Sequence, residues 1–187
     1  MRHEPPASLG ADLRALRRAR GLTLQALAEA LGRSVGWISQ VERDLSQPSI
    51  ADLRAMAKAL GVPISMLFGK ARAPVEEEGR VVRAGMRRPL GSRAAGLVEE
   101  LLSPDLTDDF EVVHSTFAPG SRLNGPQQRP TQEVGYVVSG RLDVAINGTW
   151  FSVGEGDSFR IKGEPYDWAN PHDVPAVVIW VIAPPVY

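Results

Sequence analysis

Apolar residues recur at helical spacing through the first third of the chain. Leu9, Leu13 and Leu16 mark one such face; Leu24, Leu27, Ala28 and Leu31 mark a second. Gly21, Gly32 and Gly61 fall where these runs should stop, and Thr23 and Ser34 occupy N-cap positions for the second and third runs. The pattern predicts five helices, near residues 8–20, 24–31, 35–43, 50–60 and 63–68.

Beyond residue 80 the periodicity changes to short β-branched runs. Glu111–Phe117, Val134–Val138, Arg141–Ile146, Thr149–Val153, Ser158–Ile161 and Ala176–Ala183 read as strands separated by Pro-Gly, Ser-Gly, Asn-Gly and Gly-Glu-Gly-Asp turns. Asn147-Gly148 between two such runs is a hairpin signal. Many short strands with regular turns predict a sandwich or barrel. Between the two regions, Ala71–Gly79 holds Pro74 and the acidic run Glu76, Glu77, Glu78 without an apolar period, and reads as a linker. The expected organisation is a helical domain over 8–69, a linker over 70–80 and a β domain over 81–187 with its core at 110–185.

Composition narrows the chemistry. Hydrophobic residues make up 43% of the 187, enough to bury a core and to exclude a disordered chain. The absence of cysteine removes disulfides, thiolate zinc sites and cysteine nucleophiles, and suits a cytoplasmic location. Met1–Gly10 lacks the apolar run of a signal peptide, and no stretch reaches the ~20 apolar residues of a membrane span. The net charge of −1 hides an asymmetry: residues 1–72 carry 11 Lys and Arg against 6 Asp and Glu, the remainder 10 against 16. A basic head on an acidic body suits a head that meets phosphate.

The run LTLQALAEALGRSVGWISQVE, Leu22 to Glu42, gives that charge a motif. Ala28 is small where two helices should cross, Gly32 permits a sharp turn, and Ile38 and Val41 bury the inner face of the third helix. The segment resembles the lambda-repressor-like, Cro-type (xenobiotic-response-element) helix-turn-helix family over residues ~9–68. The likeness extends to Glu42-Arg43, Gln47-Pro48-Ser49, Leu53, Ala57 and Leu60, and Gly61-Val62-Pro63. One departure is Leu24, where the family often has a phosphate-binding glutamine; Gln25 is the alternative donor. The resemblance implies that Val35, Gly36, Ser39 and Gln40 face bases in the major groove, with Gln40 suited to adenine and Val35 to a thymine methyl. Ser34 and Trp37 would meet the sugar-phosphate wall, and Arg33, Arg43 and the Arg14–Arg17–Arg18 face would supply sequence-independent charge.

A second pattern follows. Pro119-Gly120, Glu133, Tyr136–Leu142, Asn147-Gly148, Gly154–Ser158 and Asn170 resemble, in their order, the small-barrel cupin family over residues ~110–185. The implied fold class is therefore two-domain: an all-α five-helix helix-turn-helix domain, then an all-β cupin, a small double-stranded β-helix barrel. Cupin metal sites use two histidines around one residue, a Glu, and a third histidine. Those places hold Pro126, Gln128, Glu133 and Tyr166, so no bound transition metal and no cofactor are expected. His3, His114 and His172 lie elsewhere; a rearranged His114–Glu133–His172 set is the remaining way to assemble one. The expected pocket residues are Arg122, Gln128, Glu133, Arg160, Tyr166 and Trp168, a set able to orient an amino acid, an amine or a small acid.

The reading that combines the two halves is a bacterial-type transcriptional regulator, not an enzyme. Double-stranded DNA with a near-palindromic operator is its partner, a small molecule its effector, and a homodimer through residues 80–187 its assembly. Two alternatives are an iron epoxidase-type cupin enzyme and a DNA-binding protein with a purely structural, dimerising barrel.

Overall fold

The computed structural model describes residues 8–62, 64–67, 74–77, 79–91, 94–106 and 108–186. Within these the chain forms two compact units. The first runs through Arg88 and takes in Pro104–Asp108; the second comprises Pro89–Ser103 and Asp109–Val186.

The first unit holds α1 (Leu9–Ala19), α2 (Leu24–Leu31), α3 (Val35–Val41) and α4 (Ile50–Leu60). A hydroxyl caps each start: Ser8, Thr23, Ser34 and Ser49 accept from the backbone N–H three residues on. Gly32 and Gly61 end α2 and α4 in the left-handed conformation, at φ 61° and 67°. Leu13, Leu16, Leu27, Ile38, Val41, Met56, Leu60 and Met66 are almost wholly removed from solvent and form the core.

Two expectations change here. The fifth predicted helix is a four-residue 3-10 turn, Ile64–Leu67, so the unit has four α-helices among the described residues. One turn closes no run of i→i+4 hydrogen bonds, which makes an α-helix of this length unfavourable. The predicted ends of that helix, at 63 and 68, and residues 70–73 and 78 of the linker lie outside the described residues.

Arg17 is the second change. It is 8% exposed and does not share the surface with Arg14 and Arg18. Its Nε and Nη2 donate to the two carboxylate oxygens of Glu42 at 2.6 and 2.9 Å, and its Nη1 donates to the Leu22 carbonyl at 2.8 Å. The hydrogen bond to Glu42 raises the Arg17 pKa above its ordinary value. Beside this pair, Gly10 of α1 is pressed against the end of α3. A Cβ there would lie 2.3 Å from the Val41 carbonyl oxygen.

The β-strands are β1 (Arg88–Pro89), β2 (Leu97–Leu101), β3 (Glu111–Phe117), β4 (Gln132–Ser139), β5 (Arg141–Ile146), β6 (Thr149–Gly154), β7 (Ser158–Lys162), β8 (Tyr166–Ala169) and β9 (Ala176–Ala183). They form a six-stranded sheet in the order β1-β2-β3-β9-β4-β7 and a three-stranded sheet β6-β5-β8. The β5–β6 hairpin turns at Asn147-Gly148, whose φ values of 49° and 80° are those of a two-residue primed turn. Gly135 of β4 makes room for a ring: an added Cβ would sit 2.5 Å from the tip of the half-buried Phe159 side chain, which stands edge-on to Trp180 at 5.2 Å. Strict alternation in β3 and β4 sends Val113, Phe117, Glu133 and Val137 to the buried side. No helix among the described residues is long and apolar enough to cross a membrane.

The Arg17–Glu42 pair generates a prediction. Glu42→Ala leaves a largely buried guanidinium without its carboxylate, and is expected to cost about 3–5 kcal/mol of helical-unit stability. Urea unfolding of the full chain followed by far-UV circular dichroism measures it; a loss below about 1 kcal/mol, the scale of an exposed pair, contradicts it.

Candidate nucleic-acid interface and barrel cavity

The Ser34 hydroxyl accepts from Trp37 N at 3.1 Å and fixes where α3 begins. Ile38 and Val41 face the core, which turns Val35, Gly36 and Gln40 outward, with Trp37 and Ser39 half-buried. Val35 keeps 43% of its surface in solvent although it is apolar. Arg43 lies just past the helix C-cap Glu42, exposed, with its Nε donating to the Ser39 carbonyl at 3.1 Å.

Arg33 is not a free surface cation. Its Nε and Nη2 donate to Asp52 Oδ1 at 3.1 and 2.7 Å, and its guanidinium lies 5.0 Å from the centre of the Trp37 ring. Asp52 belongs to the α4 capping box: Ser49 Oγ donates to it at 2.6 Å and Ser49 N at 3.0 Å. The Ser49 hydroxyl first, and Arg33 second, hold the Asp52 carboxyl below the usual carboxylate range. The spacing Ser49-Ile50-Ala51-Asp52 carried this signal, with Asp where the common box has Glu. At the family's phosphate position, Leu24 is half-buried, and exposed Gln25 donates to Glu29 at 3.1 Å.

In the second unit a cavity of about 40 Å³ lies between the sheets. Glu133, Tyr166 and Trp168 line it as the sequence predicts, with Gln127, Arg129 and Glu99 as further polar groups. Gln128 does not: it is exposed and its amide donates to the Gly163 carbonyl at 2.7 Å. The inward positions are odd-numbered through Leu123, Gln127, Arg129, Thr131 and Glu133, so the expected places Pro126 and Gln128 are one residue out of register. Arg160 is exposed on β7, opposite exposed Val134. Arg122 is also exposed, on the wall of a separate open concavity of about 500 Å³ with Asn124, Trp150 and Asp167.

Around the small cavity, buried Thr131 Oγ1 donates to the lining Glu133 at 2.6 Å, the Arg129 guanidinium lies 5.7 Å from the Tyr166 ring centre, and Trp168 meets Phe117 edge-on at 4.7 Å. This donor set does not fit a cupin metal centre. The places expected to hold imidazole offer a proline, an outward amide and a phenol. Nor does the rearranged set assemble: His172 Nε2 stands 3.5 Å from Asp143, and among the described residues no three His, Asp or Glu side chains converge.

Comparison with known proteins matches residues 8–67 to a helix-turn-helix domain and residues 113–182 to a cupin domain. The transcriptional regulator ClgR of Mycobacterium tuberculosis is 32% identical over 76 residues, 41% of this chain and 68% of the relative. The chain belongs to the helix-turn-helix transcriptional regulators. Two members from Escherichia coli align across both domains. PuuR is 27% identical over 165 residues, 86% of either chain, and SutR is 27% identical over 157 residues, 83% of either.

In this helix-turn-helix regulator the Asp52 pairing predicts a pH dependence. A carboxylate held low in the folded chain contributes stability above its ordinary pKa of 3.8, and loses it as pH falls through the lower folded value. Asp52→Asn is therefore expected to unfold earlier than wild type at pH 7. The gap should close on acidification below the ordinary pKa; a gap independent of pH overturns the assignment.

Proposed function

We propose that this regulator is a sequence-specific DNA-binding homodimer whose barrel responds to a small metabolite. The observation that carries the DNA reading is the outward face of α3, where Val35, Gly36 and Gln40 are exposed on a helix whose other side is locked into the core. Residues 8–69 form the reading head and 81–187 the responding body. Gln40 reads a base, adenine being its best bidentate partner; Val35 meets a thymine methyl, and Ser39 lies beside them. Ser34 and Trp37 face the backbone wall. Arg43, Arg14 and Arg18 supply phosphate charge, while Arg33 acts chiefly by bracing Trp37.

The outer face of the six-stranded sheet supports the homodimer. Val134, Tyr136, Val138 and Val181 are exposed there, and register places Val134 beside Val181 and Tyr136 beside Ile179. A two-fold dimer places its recognition helices about one DNA turn, ~34 Å, apart. Selection of binding sequences from a random duplex library is expected to return an inverted repeat. Gln40→Ala should then cost about 1–3 kcal/mol on that operator and relax one base pair per half-site, whereas Arg43→Ala should weaken all sequences alike. Selection of a single, unrepeated half-site counts against the dimer, and an unchanged Gln40→Ala counts against its reading role.

For the effector, Glu133, Arg129 and Gln127 surrounded by Phe117, Tyr166, Trp168 and Trp180 suit a small charged molecule with an apolar body: an amine, an amino acid or a small acid. A second reading, a barrel that only dimerises, is favoured by the cavity's size, since about 40 Å³ holds no more than a water or two. Thermal unfolding screened against amines, amino acids and organic acids separates them. A true ligand at about a hundredfold excess over its Kd stabilises by about 2.7 kcal/mol. No shift with any class favours the structural barrel. The cupin-enzyme alternative has no support in the donor set described above.

A further inference from the structure

Two glycines stand inside the α-helices, and they differ in cause. Gly10 is sterically required, because any side chain would strike the Val41 carbonyl. Gly36 is not. Its backbone is ordinary right-handed helix, it faces solvent, and apart from its chain neighbours and the helix backbone the nearest atom to an added Cβ is Ser34 Oγ at 4.0 Å. Alanine would fit there without moving a neighbour. It would also favour the helix and restrict the unfolded chain. The folded chain therefore offers no compensation for the glycine at this position.

Gly36 shares one side of α3 with Ser39 and Gln40, three and four residues further on. At Gln40 that side projects a long amide; at Gly36 the helix backbone itself is the surface. A body pressed onto this side meets the main chain directly at one point only. Resting on the DNA reading above, we infer that Gly36 is a specificity-determining residue: its missing side chain admits a base-pair edge of the major groove, and a methyl group there excludes it.

The test uses the full chain. Wild type and Gly36→Ala are compared by thermal unfolding, by fluorescence anisotropy on the selected operator and on an unrelated duplex, and by repeated sequence selection. The alanine variant is expected to unfold at an equal or higher temperature and to bind the unrelated duplex as wild type does. It should lose about tenfold on the operator, the scale of one mismatched pair, and select a different base at one position per half-site. Operator binding unchanged within twofold overturns the inference, as does an equal loss on both duplexes. A lower unfolding temperature overturns the claim that the fold does not need the glycine. A wild-type chain that enriches no sequence removes the DNA reading itself, and this inference with it.

Discussion

The buried pair between Arg17 and Glu42 ties the first helix to the end of the third. Its two hydrogen bonds fix the C-terminal end of α3, and the third donor of Arg17 holds the Leu22 carbonyl ahead of α2. Gly10, in the same helix as Arg17, allows α1 to lie directly on the α3 terminus. The face of a short helix can read a surface only if its rotation and tilt are set from behind, because a seven-residue helix has little stability of its own. Position in this head is set by charge pairing and backbone contact as much as by the leucine core.

Much of the helical head was legible because its signals are local. Thr23, Ser34, Gly32 and Gly61 act on the backbone within a few residues of themselves, and each stands where the pattern placed it. Arg17 was not legible. Its neighbours Arg14 and Arg18 are exposed, and the carboxylate that buries it lies 25 residues away in sequence. The same holds for Arg33, whose charge is engaged by Asp52 across 19 residues. An arginine's role depends on a partner that no local pattern names.

The barrel shows a related division. Glu111–Phe117, Arg141–Ile146 and Ala176–Ala183 are strands over the residues that their β-branched runs mark. Leu97–Leu101 carries two glutamates and Tyr166–Ala169 is only four residues long, so neither announces itself; pairing with β3 and β5 makes them strands. Half of the expected pocket residues reach the cavity, and Arg122 and Arg160 lie exposed outside it. Glu133, Tyr166 and Trp168 line it, but a single-step error in register put Gln128 in place of Gln127 and Arg129. In a strand that error exchanges the two faces completely.

The narrowness of the cavity bears on how a barrel of this kind can act. A roomy, preformed pocket binds its ligand without disturbing the walls, and such binding changes little elsewhere. Here the space among Phe117, Tyr166, Trp168 and Trp180 is only about 40 Å³, so a metabolite of more than a few atoms would need those walls to move before it fitted. Under the proposed function, such a molecule would favour the widened arrangement over the narrow one. It would thereby meet the requirement that a ligand discriminate between two states before it can shift their populations. Its apparent affinity would be lowered in proportion to how rarely the widened arrangement is populated. Substitutions that trim the aromatic walls would then tighten binding while blunting the response.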